Sequence, residues 1–187
     1  MKLPIAALLG FAYLISELLL NVTRRSRGTG QREDRSTLRI LWLVILASVA
    51  AGIYVARRWP GAAFPHQPLF IFTGIILFAL GIALRWWAIV TLGRFFTVDV
   101  QIAQDHQLVE RGPFRLVRHP SYTGVLLAFL GFALTVGNWA AALVIMAPIL
   151  AAFVRRMNVE EQALTRALGE TYTRYLRRTH RLIPGIY

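Results

Sequence analysis

Long apolar windows separated by short polar stretches dominate the chain. Three windows cover residues 3–22, 38–56 and 69–92. Each is close to the roughly 20 residues that a helix needs to cross about 30 Å of hydrocarbon. The pattern therefore predicts three transmembrane helices.

Two shorter apolar windows follow a polar stretch. They cover residues 122–137 and 139–154 and meet at Gly137-Asn138. Each would be only about 24 Å long at a rise of about 1.5 Å per residue, so such helices start within the interface or thin the bilayer locally. They predict a tight helical hairpin, and the total becomes five transmembrane helices.

Residues 158–178 are amphipathic. Val159, Ala163, Leu164, Ala167, Leu168, Tyr172, Tyr175 and Leu176 recur at helical spacing between Arg, Glu and Thr. This periodicity predicts a C-terminal helix along the cytoplasmic interface. The expected fold is all-α and polytopic, one domain over residues 1–187 with a three-helix part at 1–92 and a second part at 93–187.

Composition agrees with a membrane location. Of 187 residues, 56% are hydrophobic and 16% charged, and 21 Lys and Arg against 9 Asp and Glu give a net charge of +12. Because the arginines stand at the ends of apolar windows, the charge favours an anionic membrane surface over nucleic acid. The lack of cysteine excludes disulfides, thiolate metal sites and cysteine nucleophiles.

The arginines also predict an orientation. The loop after the first window, the loop after the third and the C-terminal tail are rich in arginine, whereas only Lys2, Arg57 and Arg58 fall on the other side. Short loops rich in Lys and Arg stay cytoplasmic. Five spans then put the N-terminus outside and the C-terminus in the cytoplasm. The first window is too long for a typical signal-peptide core and is expected to be retained.

The polar loop before the fourth helix carries the first candidate chemistry. Gly112-Pro113 marks a turn and Pro120 fixes the backbone where the helix begins, with Ser121 and Thr123 able to satisfy free amides. This predicts an exposed helix N-terminus that favours a carboxylate or phosphate. The alternative is a basic loop that anchors the protein at the interface.

A second group follows the fifth window. Arg156 and Glu160 are four residues apart and share one helical face. They could form an ordinary helix salt bridge. Both lie on the same predicted membrane side as His119, however, so the two segments could form one pocket with a cation-binding carboxylate and an anion-binding guanidinium. Such a pocket suits a zwitterionic ligand.

Two further features have competing interpretations. Arg85 lies inside the third window, as Glu17 lies inside the first, and an intramembrane charge is a functional candidate. Snorkelling of the Arg85 side chain to the interface is the simpler expectation. The basic tail at residues 177–181 is expected mainly to contact anionic lipid, with closure of the site as the alternative.

The motifs, in this order and spacing, resemble the isoprenylcysteine carboxyl methyltransferase family and its relatives among membrane phospholipid methyltransferases. The corresponding residues are Leu92-Gly93-Arg94-Phe95-Phe96, residues 106–109, Gly112-Pro113-Phe114, residues 118–124, residues 156–161, Gly169-Glu170-Thr171-Tyr172 and Arg181-Leu182-Ile183-Pro184. They cover roughly the C-terminal half. The resemblance implies that residues 93–187 form the cofactor-binding and catalytic part.

The resemblance further implies S-adenosylmethionine as cofactor, S-adenosylhomocysteine as product and a lipophilic or prenylated acceptor that enters from the bilayer. By resemblance, His106, Gln107, Leu108, Val109 and Phe114 would line the adenosine side, and His119, Pro120, Ser121 and Tyr122 would contact the cofactor. Glu160 would hold its ammonium group, and Arg156 would face the acceptor. Phe114 replaces a tyrosine of many relatives and so lacks a hydroxyl.

The acceptor class stays open at this point. Relatives methylate carboxylates, amines or thiols, so a carboxylate is favoured with a phospholipid amine or a small thiol as alternatives. A non-catalytic lipid-binding or adaptor protein is the competing function class. Five short spans without inverted repeats disfavour a transporter.

Overall fold

The computed structural model describes residues 2–23, 31–34, 36–96, 100–102 and 107–187. Its helices are α1 (Lys2–Thr23), α2 (Ser36–Arg58), α3 (Gln67–Leu92), α4 (Pro120–Val136), α5 (Trp139–Leu168) and α6 (Glu170–Arg178). Two short strands, β1 (Gln31–Asp34) and β2 (Val100–Ile102), pair antiparallel. Five of the six helices lie where the apolar windows predict helices.

The connections between helices follow the local sequence. Gly137 ends α4 in the left-handed region at φ 79°, and the Asn138 side chain accepts a hydrogen bond from the Ala141 amide at 2.9 Å to begin α5. Glycine adopts this region without steric cost, and asparagine is a favoured N-cap. The predicted tight hairpin is confirmed.

The C-terminal helix differs from its prediction. Instead of ending at residue 154, α5 continues without a break to Leu168, and Gly169 with φ 54° separates it from α6. The polar residues after Val154 keep a helical pattern and contain no breaker, so leaving the apolar window does not end the helix. The amphipathic segment is therefore divided between the end of α5 and the short α6.

Glycines allow α3 and α4 to pack at very short range. A Cβ atom added to Gly81 would lie 2.5 Å from the Ala128 backbone nitrogen, and one added to Gly124 would lie 2.6 Å from the Arg85 backbone nitrogen. Small residues permit such close backbone approach between membrane helices. The first turn of α4 is therefore held directly against the middle of α3.

The apolar core is built around α4. Val125, Ala128, Phe129, Phe132 and Ala133 are buried between α1, α3 and α5. Large apolar side chains on the outer faces are exposed, which fits a lipid environment. Thr37–Arg58, Gln67–Phe95 and Trp139–Leu168 are long and apolar enough to cross a membrane, and Pro4–Leu20 and Pro120–Val136 are shorter apolar helices. Five crossings remain a prediction.

Candidate active site

One pocket brings together the two motif groups. It lies between the start of α4, the second half of α5, α6 and the segment around Phe114, with α1 and α3 on its far wall. Ten of the residues that the resemblance implicates line it: Gln107, Leu108, Val109, Phe114, His119, Pro120, Ser121, Tyr122, Arg156 and Glu160. His106 lies outside the described residues.

Tyr122 links the two charged residues of α5. Its hydroxyl donates to Glu160 Oε2 at 2.6 Å and accepts from Arg156 Nε at 2.9 Å. Arg156 also donates to the Thr37 hydroxyl at 3.4 Å, which brings the start of α2 to the site. Tyr122, a motif residue of α4, therefore connects the two residues that were expected to share one face of α5.

Glu160 and Arg156 differ in their access to the pocket. The Glu160 side chain retains 30% of its exposure, whereas Arg156 is buried. A partly exposed carboxylate on a pocket wall can accept a cationic group, because a charge-assisted hydrogen bond to it is short and strong. The buried guanidinium is oriented by its two hydroxyl partners.

His119 is held rigidly beside Tyr122. The two rings stack with centroids 5.3 Å apart and planes at 8°, and His119 Nε2 lies 3.1 Å from Glu161 Oε1. The other ring nitrogen, Nδ1, lies 3.9 Å from Glu160 Oε2. His119 therefore presents one nitrogen to the pocket side and the other to the supporting carboxylate.

Glu161 contacts the site, although the family resemblance implied no role for it. Its carboxylate accepts from Arg118 Nε at 3.0 Å and from Arg181 Nη2 at 2.6 Å, in addition to its contact with His119. It is buried and stands behind the pocket wall. The sequence feature that could have identified Glu161 is its position next to Glu160 in an arginine-rich chain.

The chain after α6 closes the back of the motif loop. The amides of Arg118 and His119 donate to the carbonyls of His180 and Arg181 at 2.7 and 3.1 Å, and the His180 amide donates to the Leu116 carbonyl. Thr123 donates its hydroxyl to the Leu182 carbonyl at 2.9 Å. Of the two interpretations of the basic tail, lipid contact and closure of the site, these contacts favour closure at Arg181.

The capping predicted for the N-terminus of α4 is wrong, because neither Ser121 nor Thr123 caps the helix. The amides of Arg118 and His119, just before the helix, donate to the tail carbonyls. Ser121 instead accepts a hydrogen bond from Arg85 at 3.1 Å.

Aromatic residues from α6 complete the wall next to Phe114. The Tyr175 hydroxyl donates to the Phe114 carbonyl at 2.6 Å, and Tyr172 packs beside Tyr175. Burial raises the pKa of both hydroxyls, and at Tyr172 the negative charges of Glu160 and Glu161 raise it further. Both remain neutral hydrogen-bond donors at physiological pH.

Arg85 does not snorkel. Its side chain is 10% exposed and forms an ion pair with Glu17 of α1, with a hydrogen bond from Nη2 to Oε2 at 2.9 Å and Nε 2.7 Å from Oε1. Both residues line the pocket. Glu17 is 68 residues away in sequence, but its carboxylate contacts the guanidinium within the helix bundle. The Arg85 side chain is paired there and does not extend to the interface.

A second, almost entirely apolar cavity of about 410 Å³ adjoins the first. It runs between α1, α2 and α4 from the Pro60 and Asn138 end of the helices toward Tyr13. Tyr13, Trp42 and Ile45 line both cavities. The first pocket therefore adjoins, at these residues, a space suited to a hydrocarbon chain.

Known proteins are similar to this chain over more than half of its length. The chain is 33% identical over 115 residues to protein-S-isoprenylcysteine O-methyltransferase B of Arabidopsis thaliana, covering 60% of this chain and 58% of that protein. The corresponding enzyme of Schizosaccharomyces pombe is 29% identical over 198 residues, covering 97% of this chain and 84% of that one. The chain spans less than two thirds of the Arabidopsis protein.

A solved structure has the same fold. The eukaryotic intramembrane Ras methyltransferase, an isoprenylcysteine carboxyl methyltransferase, superposes with a TM-score of 0.62 and 27% sequence identity over 82% of this chain and 54% of that chain. This confirms the predicted all-α polytopic fold, and the chain is an integral membrane protein.

The family match covers part of the pocket, from α3 to α5. Residues 74–166 match the family described as "Isoprenylcysteine carboxyl methyltransferase (ICMT) family", for which a methyl donor is implied. That segment begins in α3 and ends near the C-terminal end of α5, and it contains Phe114, His119, Tyr122, Arg156 and Glu160. The resemblance noted in the sequence is confirmed, because residues 74–166 match the isoprenylcysteine carboxyl methyltransferase family and the chain is similar to proteins of that name in sequence and fold.

Proposed function

We propose that this protein is an S-adenosylmethionine-dependent methyltransferase that acts on a lipophilic acceptor, most simply an acceptor carboxylate. The observation that carries the proposal is the meeting of two spaces at Tyr13 and Trp42. One is lined by charged and aromatic motif residues and the other by apolar side chains. A water-soluble cofactor and a membrane-partitioned acceptor need these two environments side by side.

The residues of the polar pocket fit the cofactor. Glu160 offers a partly exposed carboxylate to an α-ammonium group, while Leu108, Val109 and Phe114 form an apolar and aromatic surface for an adenine ring. Pro120, Ser121 and Tyr122 stand between these two ends at the start of α4. S-adenosylmethionine would supply there an electrophilic methyl group, which a carboxylate oxygen takes as the C–S bond breaks toward sulfur, so that no proton moves.

The chain's own contribution is positioning. Arg156, oriented by the hydroxyls of Tyr122 and Thr37, carries the positive charge that holds an acceptor carboxylate. The apolar cavity takes the acceptor's hydrocarbon part. Holding two reactants in line replaces a bimolecular encounter and supplies most of the rate enhancement. Neither a covalent enzyme intermediate nor a general base is needed.

The proposal includes an orientation and a domain arrangement. The pocket lies at the end of the helix bundle that carries Arg94, Arg111, Arg115 and Arg118, whereas Arg57 lies at the opposite end of the apolar cavity. With basic loops in the cytoplasm, the site opens there, the C-terminus is cytoplasmic and the N-terminus is outside. Residues 1–187 act as one domain, since α1 and α2 both supply residues of the pocket.

Calorimetry on the purified chain in detergent tests the cofactor assignment. S-adenosylhomocysteine should bind, and Glu160→Gln should weaken binding by about tenfold because a charge-assisted contact is lost. Glu170→Gln is the matched control, since Glu170 is an exposed carboxylate of α6 away from the pocket. Well-folded wild-type protein that does not bind S-adenosylhomocysteine would refute the proposal.

A transfer assay tests the acceptor class. Protein in lipid vesicles is given S-adenosylmethionine with a labelled methyl group and either an N-acetyl-S-prenylcysteine or its amide. Label should enter only the carboxylate compound, as a base-labile methyl ester. Label that appears instead in base-stable products of the vesicle phosphatidylethanolamine would assign the reaction to a lipid amine.

A further inference from the structure

The Glu17–Arg85 pair joins a helix outside the family match to the cofactor-facing turn of α4. Glu17 belongs to α1, whereas the family match begins at residue 74. Arg85 Nη2 and Nε contact the Glu17 carboxylate, and Arg85 Nη1 donates to Ser121 Oγ at 3.1 Å. A chain of contacts therefore runs from α1 through α3 to Ser121.

Packing alone does not account for this pair. The contact between α3 and α4 is already provided by the glycines at 74, 81, 124 and 131, and α1 is joined to α3 by a neutral hydrogen bond from Trp86 Nε1 to Ser16 Oγ at 2.8 Å. A buried ion pair is costly to desolvate and is a weak source of stability. Its location on the pocket wall gives it a different use.

The geometry of the guanidinium shows what the pair can do. The Glu17 carboxylate holds the guanidinium at two points, through the hydrogen bond from Nη2 to Oε2 and the ion-pair contact of Nε with Oε1, and these two contacts limit its rotation. The remaining Nη1–H group is then aimed in one direction, at the Ser121 hydroxyl. Ser121 follows Pro120, the first residue of α4, and both line the pocket.

We propose that Glu17 and Arg85 are positioning residues that fix the Ser121 hydroxyl, and with it the first turn of α4, for cofactor binding. The inference rests on the proposed function, and it assigns to the N-terminal helix a part in the cofactor site. In this role Glu17 orients Arg85, and Arg85 orients Ser121.

Paired variants separate positioning from packing. Glu17→Gln removes the carboxylate charge, Arg85→Lys removes the planar guanidinium, and Ser121→Ala removes the receiving hydroxyl. Ser16→Ala is the control, because it deletes a contact between the same two helices, one residue away, that does not face the pocket. Calorimetry gives the dissociation constant for S-adenosylhomocysteine, and thermal unfolding in detergent gives stability.

The three positioning variants should each raise the dissociation constant by about tenfold. The double variant Arg85→Lys/Ser121→Ala should be no worse than either single variant, because both act through one contact. Ser16→Ala should lower the unfolding temperature and leave the dissociation constant unchanged. The proposal is overturned if Glu17→Gln and Arg85→Lys lower the unfolding temperature as Ser16→Ala does but leave binding within twofold of wild type.

Hydrogen exchange provides a readout that does not depend on the ligand. Amides of residues 121–126 should exchange faster in Glu17→Gln and Arg85→Lys than in Ser16→Ala, since the first turn of α4 is no longer held. Wild-type protein that fails to bind S-adenosylhomocysteine contradicts the proposed function, whereas equal exchange in all three variants contradicts the positioning role. The two failures are therefore distinguishable.

Discussion

Glu161 holds the ring of His119 from behind the pocket, with Oε1 3.1 Å from Nε2. The same carboxylate accepts hydrogen bonds from Arg118 and Arg181, so one buried group connects the motif loop, α5 and the tail. A carboxylate with three cationic or polar partners is a point where a small change affects several segments together.

Glu161→Gln should therefore weaken both the fold and the site. An amide accepts fewer hydrogen bonds and cannot balance the two guanidinium groups, so the free energy of unfolding should fall by about 3 kcal/mol. The dissociation constant for S-adenosylhomocysteine should rise because His119 is released. Denaturant titration in detergent and calorimetry measure the two effects. Gln162, the exposed neighbour, provides the control Gln162→Ala, and equal behaviour of both variants would contradict this role.

Tyr122→Phe should weaken acceptor binding more than it weakens cofactor binding. The variant keeps the ring that stacks on His119 but loses the hydroxyl that joins Arg156 to Glu160. With Arg156 no longer oriented, the KM for a carboxylate acceptor should rise by about tenfold or more, while the Kd of S-adenosylhomocysteine changes less. Steady-state kinetics check this. Tyr54→Phe on the exposed face of α2 is the control, and an unchanged acceptor KM in Tyr122→Phe would argue against the link.

Gly81→Ala should destabilise the helix bundle. The new methyl group would lie 2.5 Å from the backbone of Ala128 and Gly124, which cannot move without separating α3 from α4. Overpacking of this kind costs about 1 to 3 kcal/mol. Gly10→Ala is the matched control, because its Cβ would meet only Phe132 at 3.7 Å, and a helical alanine is then favoured by about 0.5 to 1 kcal/mol. Thermal unfolding in detergent should move in opposite directions for the two variants.

Arg181→Gln tests whether the tail closes the site. Arg181 donates to Glu161 at 2.6 Å, whereas Arg177 is exposed. Site closure predicts weaker S-adenosylhomocysteine binding for Arg181→Gln and normal binding for Arg177→Gln in neutral detergent. If the tail serves only anionic lipid, both variants should bind S-adenosylhomocysteine as tightly as wild type.

Alkaline pH should destabilise the wall that α6 contributes. Because burial raises the pKa of Tyr175 above its usual value of about 10, the folded chain keeps a proton that the unfolded chain releases. The stability contribution is complete below about pH 10 and declines as the pH rises beyond it. The unfolding temperature of Tyr175→Phe should therefore fall less between pH 9 and pH 11 than that of wild type. A parallel fall in both would contradict the assignment.

The helices and the pairing of the two motif groups were predictable, because both depend on local patterns. Apolar windows fix where helices can form, and helical spacing puts Arg156 and Glu160 on one face. The end of α5 was not predictable from hydropathy, since a helix can leave the apolar layer without a breaker and this one continues to Gly169.

Long-range contacts account for the remaining differences. The tail carbonyls of His180 and Arg181 occupy the amides before α4 through backbone atoms, and backbone pairing leaves no mark on residue type. Glu17 and Arg85 were each visible as intramembrane charges, but nothing in two separate apolar windows states that they face each other. The family resemblance indicated the residues that line the pocket, whereas the residues that hold them in place, such as Glu161, were visible only in the structure.

The unbroken course of α5 has a mechanical meaning. Ile145 and Ile149 are buried within the helix bundle, and Arg156 and Glu160 stand two to three turns further along the same helix. Pro148 lies inside α5, where a proline favours a kink, but Arg156 and Glu160 both follow it on one continuous stretch of helix. A change in bilayer thickness that tilts α5 would therefore move both charged groups together relative to His119, so the thickness of the membrane becomes a variable that sets the distance across the site.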